Sequence, residues 1–203
     1  MNFSFLGAWM NTTLSYYNEN SQSFVENTLC ADMHAVYQRF LSHLPKSAHI
    51  LDFGCGSGRD TRYFLGHNYQ VTSIDGSEEM CKLASAYTGI QVLQLDFTDL
   101  DHINVYDAIW ACASILHLPW NDLNTIIDKM VQSLKTPGYM YISFKYGEFE
   151  GYRNGRYFTD LTEQRLSQLL ADKHYIEVVD LWITQDVRPE RENELWLNAI
   201  LKK

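Results

Sequence analysis

Three glycines at alternate positions, Gly54, Gly56 and Gly58, separate the run Ile50-Leu51-Asp52-Phe53 from the charged pair Arg59-Asp60. Lacking a Cβ, glycine lets a backbone turn sharply and approach a ligand that side chains would keep away. A helix opening directly after the turn aims its free N–H groups and the positive end of its dipole at the same ligand. Further on, Asp75 closes a second strand-like run, Gln70 to Ile74, where a carboxylate can grip the two hydroxyls of a ribose. These types and spacings point to a nucleotide-like ligand. A phosphate-binding loop ends in Gly-Lys-Ser/Thr, but Arg59 and Asp60 follow Gly58, which argues against a nucleoside triphosphate. A dinucleotide fingerprint spaces its glycines G-x-G-x-x-G, whereas these three are evenly spaced. A second chemical candidate is His117, in Ser114-Ile115-Leu116-His117-Leu118-Pro119. A neutral imidazole there can take a proton near pH 7, or it can simply bond its loop and shape a pocket.

The even glycine spacing preceded by Asp52 resembles the first motif of class I S-adenosylmethionine (SAM) dependent methyltransferases. The resemblance extends along the chain in the family's order. Asp75-Gly76-Ser77 with Met80 is similar to its ribose-and-adenine segment, and Leu95-Asp96-Phe97 to its adenine-edge motif. Tyr106 to Trp110 resembles the fourth strand. Leu134-Lys135-Thr136-Pro137-Gly138 resembles the turn into the fifth, with Thr136 interrupting the usual "LKPGG". In size and layout the chain is similar to the tellurite-resistance and small-molecule methyltransferases. The resemblance implies SAM as cofactor and S-adenosylhomocysteine (SAH) as product. By the same correspondence Gly54, Gly56 and Gly58 lie against the methionine half, and Arg59 meets its carboxylate. Asp75 and Gly76 take the ribose, Met80 packs on the adenine, and Asp96 and the Phe97 amide address the adenine edge. Ala111 and its neighbours lie beside the methyl group. Tyr16 or Tyr17, just before the first long helix, can offer an aromatic face to the sulfonium. In such chemistry the acceptor attacks the methyl carbon in line with the departing sulfur. Positioning can supply ~7–11 kcal/mol of the barrier, and a base is optional. His117 is therefore expected to shape the pocket.

The elements that must position these residues follow from the apolar pattern. Residues 1–17 show no clean periodicity and read as a loose arm. Phe24, Leu29, Met33, Val36, Tyr37, Phe40 and Leu41 share a helical face from Ser21 to Leu44, and Pro45 ends it. Strands are expected at His49–Phe53, Gln70–Ile74, Ile90–Leu95, Tyr106–Cys112 and Tyr139–Phe144. Helices follow from Arg59, after Ser77 as N-cap, and from Asp122 to Lys135. Lys145 to Phe158 is too polar and glycine-rich for core, and too aromatic for an idle linker. A helix near Thr162 and strands at Ile176–Thr184 and Leu195–Leu201 complete the chain. Repeated strand–helix units imply an α/β, doubly wound Rossmann-like sheet with ligands beyond the carboxyl ends of its strands. The last two strands, joined by a loop alone, must pair antiparallel. The resemblance implies the order 3-2-1-4-5-7-6. The chain reads as one domain, 1–203, with a helical arm or lid over 1–45 and a cofactor-binding core over 46–203.

This topology sends Lys145, Tyr146, Arg153, Arg156, Arg188 and Arg191 to the ligand-side rim. Cations there suit an anionic small-molecule acceptor. Glu148, Glu150, Asp186, Glu190, Glu192 and Glu194 lie close by in sequence and can instead neutralise them. The formal net charge of −9 argues against a nucleic-acid partner. Cys30, Cys55, Cys81 and Cys112 are scattered, and buried free thiols are expected; no metal site is expected from the seven histidines. No Lys or Arg precedes Arg39, so a basic signal-peptide region is lacking, and no run reaches the ~20 apolar residues of a membrane span; a cytoplasmic protein is expected. The alternatives are an RNA or protein methyltransferase, a SAM-binding sensor or partner without turnover, and a nicotinamide-dependent reductase. The acceptor atom and the oligomeric state are left open.

Overall fold

The computed structural model describes residues 8–188, 191 and 193–203. Where one helix was expected from Ser21 to Leu44, two are found, α1 (Ala8–Thr28) and α2 (His34–Leu41). The break has a local cause. Asp32 Oδ1 accepts the His34 N–H at 2.9 Å, starting a new helix as an Asx-type cap does. It also has a packing cause. Phe24 sits against the glycine turn, whereas Val36, Tyr37 and Phe40 are buried on the sheet, and one straight helix could not serve both places. Residues 8–17, expected as a loose arm, are helical up to a kink at Asn20.

The alternating units then run β1 (His49–Phe53), α3 (Arg59–Gly66), β2 (Gln70–Asp75), α4 (Glu78–Thr88), β3 (Leu93–Gln94) and β4 (Tyr106–Ala111). They continue with α5 (Trp120–Ser133), β5 (Leu134–Lys145), β6 (Glu150–Arg153), β7 (Arg156–Thr159), α6 (Glu163–Leu170), β8 (Glu177–Gln185) and β9 (Leu195–Lys202). Ser77 caps α4, its hydroxyl accepting the Met80 N–H, with Glu78 and Glu79 complementing the dipole in the first turn. Thr162 caps α6 in the same way.

Seven strands form one sheet in the order β3-β2-β1-β4-β5-β9-β8, with β9 antiparallel to both neighbours. Setting aside the separate β6–β7 hairpin, this is 3-2-1-4-5-7-6, as the resemblance implied. Both faces are buried, so the central strands are apolar nearly throughout. Leu51, Phe53, Ile109 and Ile142 pack on one face with Leu123, Ile126, Ile127 and Met130 of α5. Ile50, Ala108, Trp110, Tyr141 and Ile200 pack on the other with Phe40 and Phe64.

Three boundaries differ from expectation. β3 shrinks to two exposed residues at a sheet edge, where short strands are the rule, while Val92 turns inward under α4. β5 begins at Leu134, directly out of α5, and slips register between Tyr106 and Ala108 of its partner. The stretch after β5 contains the β6–β7 hairpin, turned at Asn154-Gly155 with both residues at positive φ, 50° and 77°. Asn-Gly is the favoured pair for such a two-residue turn.

Candidate active site

The carboxyl ends of β1, β2 and β4 and the inner side of α1 enclose one cavity. Its floor is the glycine turn. Gly54, at φ +82°, has no room for a side chain: a Cβ would lie 2.6 Å from Ser114 Cβ. Gly56, at φ +54°, lines the cavity, with Phe24 the nearest neighbour of a Cβ at 3.4 Å. Gly58 caps α3 in the left-handed region and is not among the lining residues. Asp75 stands at the end of β2. Its Oδ2 accepts the Gly56 N–H and its Oδ1 accepts the Ser77 N–H, each at 2.9 Å. Burial pushes this carboxyl upward, and the backbone donors work against that. Gly76, Met80, Asp96 and Phe97 complete this end of the cavity. Burial, then the charge of Asp99, raises Asp96, and the Phe97 ring lies 4.6 Å from that of Phe53.

Arg59 also lines the cavity, but its guanidinium is already forked onto Asp60, with Nε–Oδ1 at 2.6 Å and Nη2–Oδ2 at 3.0 Å. Trp110 Nε1 donates to the same carboxylate at 2.7 Å, as does the Tyr37 hydroxyl. Burial acts to raise Asp60, but Arg59 and these donors hold it below the ordinary carboxylate range. Asp52 lies beneath the turn, outside the lining, bonded to the Thr61 hydroxyl at 2.5 Å. Burial, reinforced by Asp60, pushes its carboxyl up. Ala111 is fully buried in β4, and the wall is formed by the next three residues, Cys112, Ala113 and Ser114. Cys112 is accordingly half-buried rather than buried, and Cys30 is exposed.

Of the two candidate tyrosines, Tyr17 lines the cavity and Tyr16 does not. The Tyr17 hydroxyl is 2.8 Å from His117 Nε2, and His117 Nδ1 is 2.6 Å from the Tyr157 carbonyl. A carbonyl only accepts, so Nδ1 carries the proton and Nε2 accepts from the phenol. Burial, followed by Arg156 and Arg153, pushes His117 down to about 3, against the pull of the Tyr157 carbonyl. Burial raises Tyr17, partly offset by Arg156, whose Nη1 donates to its oxygen at 3.3 Å.

The expected rim residues divide. Lys145, Tyr146, Arg153 and Arg156 line a second cavity with Asp160, Arg191 and Glu194. Arg188 lines a different one, forked onto Asp186. Glu190 and Glu192 lie outside the described residues. Thr13, Leu14 and Thr28, by which α1 walls the main cavity, carry no site signal in the sequence, and Phe24, which lines it too, read only as part of an apolar helical face. Nor does the sequence single out Asn18, whose Oδ1 accepts from the Ser77 hydroxyl at 2.7 Å and the Glu79 N–H at 3.2 Å. Among the described residues no metal-binding cluster is present, and no helix is long and apolar enough to cross a membrane.

Comparison with known proteins agrees with this arrangement. A family profile described as a methyltransferase domain matches residues 50–138. An uncharacterized methyltransferase of Staphylococcus carnosus is 26% identical over 191 residues, covering 87% of this chain and 90% of that protein. The 1,6-didemethyltoxoflavin-N1-methyltransferase of Burkholderia thailandensis, solved with 1,6-didemethyltoxoflavin and SAH bound, superposes with a TM-score of 0.78 at 23% identity, over 98% of this chain and 92% of that one. A SAM-dependent methyltransferase of Methanosarcina mazei gives 0.72 at 20% identity, over 85% and 98%. The 4+2 cyclase SpnF gives 0.71 at 16% identity, over 93% and 94%. Residues 50–138 thus match a methyltransferase-domain profile, and the chain has the class I (Rossmann-like) fold of SAM-dependent methyltransferases.

Proposed function

We propose that the protein is a SAM-dependent methyltransferase acting on a small molecule, of the tellurite-resistance and small-molecule type. The observation that carries this reading is the Asp75 carboxylate. Each of its oxygens already holds one backbone N–H, which orients the group and leaves lone pairs for a ribose diol. The surroundings fit the rest of the cofactor. The Gly56 backbone leaves space that a Cβ would fill, Met80 offers an apolar face, and Asp96 offers an acceptor at the far end. The buried Ser114 hydroxyl in the wall has no partner among the described residues.

SAM, when bound, supplies an electrophilic methyl group on a sulfonium. This chain's residues bind and orient it, with Asp75 on the ribose, Asp96 and Phe97 on the adenine, and Arg59 beside the methionine carboxylate. Arg59 reaches that anion while still forked on Asp60, whose two other donors, the Tyr37 hydroxyl and Trp110 Nε1, hold the carboxylate and so fix the guanidinium in place. Asp52 acts at one remove, supporting the turn through Thr61. His117 holds the Tyr17 hydroxyl instead of taking a proton from the acceptor, because its Nε2 is occupied and a charged imidazole would be buried near Arg153 and Arg156.

Calorimetric titration tests the cofactor. SAM and SAH are expected to bind, with NAD at least tenfold weaker. Asp75→Ala removes charge-assisted bonds worth ~1.5–3 kcal/mol each, and SAM affinity falls tenfold or more. NAD binding as tightly as SAM, or a folded Asp75→Ala protein with full SAM affinity, would overturn the assignment. The cyclase that shares this fold favours one second reading, a SAM-binding fold put to other use; it predicts SAM binding with no methylated product.

A further inference from the structure

The cations around the second cavity are not equivalent. Lys145 is paired with Glu194, Arg153 with Asp160 at 2.5 Å, and Arg191 with Glu194 at 3.7 Å. Among the described residues no carboxylate pairs with Arg156. Its guanidinium instead lies over the ring of Tyr16, 4.5 Å from the centroid, and that of Phe158, at 5.1 Å. Its Nε is buried without a hydrogen-bond partner. A guanidinium stays charged at any physiological pH, and a buried donor left unmet is costly. Four cations and two carboxylates line this cavity, so its wall keeps an excess of positive charge. Arg156 is also the link to the main cavity, through its bond to the Tyr17 hydroxyl.

We propose that Arg156 holds an anionic group of the methyl acceptor, a carboxylate or a phosphate, in the cavity beside Tyr17. This rests on the methyltransferase reading and adds the acceptor's chemical class to it. The transferring group of SAM is itself cationic, so an unpaired cation in the neighbouring wall is unfavourable until an anion arrives. Fork-like donors suit the planar carboxylate and the phosphate alike. The Tyr16 and Phe158 rings pack against the guanidinium, 4.5 and 5.1 Å from it, without neutralising its charge. The competing role for Arg156 is packing alone, fastening the hairpin to α1 through Tyr16.

Binding to the SAH-loaded protein separates these roles, using benzoate, phenyl phosphate and neutral benzamide as probes. One or both anions are expected to bind at least tenfold more tightly than benzamide, and which one does so distinguishes carboxylate from phosphate. Arg156→Gln is expected to lose tenfold or more of the anion affinity, with SAH affinity kept within about threefold as the check on folding. Arg156→Lys keeps the charge without the fork and is expected to fall between. Benzamide binding as well as both anions, no measurable binding of either anion, or full anion affinity in Arg156→Gln would each overturn the proposal. A wild-type protein that bound anions but no SAH would instead sink the methyltransferase reading, and this inference with it.

Discussion

His117 sits between two partners that decide its chemistry. The Tyr157 carbonyl fixes the proton on Nδ1, and the Tyr17 phenol fills Nε2. A histidine held neutral this way is stable in the fold down to about pH 3, whereas the unfolded chain protonates it near pH ~6.5. Between those values the unfolded state binds the extra proton, so this residue's contribution to stability is lost as pH falls, by up to ~1.4 kcal/mol per pH unit. Urea unfolding of wild type and His117→Gln from pH 6 to pH 4 is expected to show the gap between them narrowing by about that slope. Parallel curves would show that the imidazole titrates in the fold as it does in water. In turnover the same variant is expected to lose less than tenfold with an unchanged pH profile; a general base would lose ~10²–10⁴-fold. The pairing itself could not be read from the chain, since its members are 100 residues apart. Neighbouring helical residues point about 100° apart, so one of Tyr16 and Tyr17 can line the cavity without the other. Which one depends on how α1 docks, and that is a tertiary fact. Asp52 and Ala111 carry the same lesson. Motif spacing located their strands, but it did not say that one carboxyl turns under the loop and that the wall begins one residue past the other.

At the scale of elements, α1 walls the cavity and is fastened to α4 by Asn18, and we propose that it acts as a lid. One amide oxygen takes both the Ser77 hydroxyl and the Glu79 N–H, beside the Ser77 N–H that Asp75 holds. Asn18→Ala removes two bonds worth ~0.5–1.5 kcal/mol each, and the closed lid loses that advantage. SAM is expected to dissociate at least about fivefold faster by stopped flow, with little change in melting temperature. Unchanged dissociation would mean that α1 does not gate the cavity. The sheet elements were legible because strands buried on both faces are continuously apolar and the helices carry clear caps, as at Ser77 and Thr162. The β6–β7 hairpin was missed, although Asn154-Gly155 is the favoured pair for its turn, because the polar composition around it favoured a loop. The break after α1 was hidden because the apolar pattern continues through it to two different surfaces.

At the scale of the molecule, an acidic chain gathers four cations in one cavity next to the cofactor site and leaves Arg156 without a carboxylate among the described residues. The clustering followed from topology: ligand-side loops of a doubly wound sheet converge. The pairing that quiets Lys145, Arg153 and Arg191, and that sets Arg188 apart with Asp186, depends on side-chain positions that sequence order does not supply. Methyl transfer to a small molecule is the claim on which the rest depends. Its most direct test is incubation with methyl-labelled SAM and a cell-metabolite extract, followed by mass spectrometry. A labelled small molecule formed together with an equal amount of SAH is expected, and its loss in Asp75→Ala. Label found only in RNA or protein, or SAM bound by the protein with no labelled product at all, would contradict it.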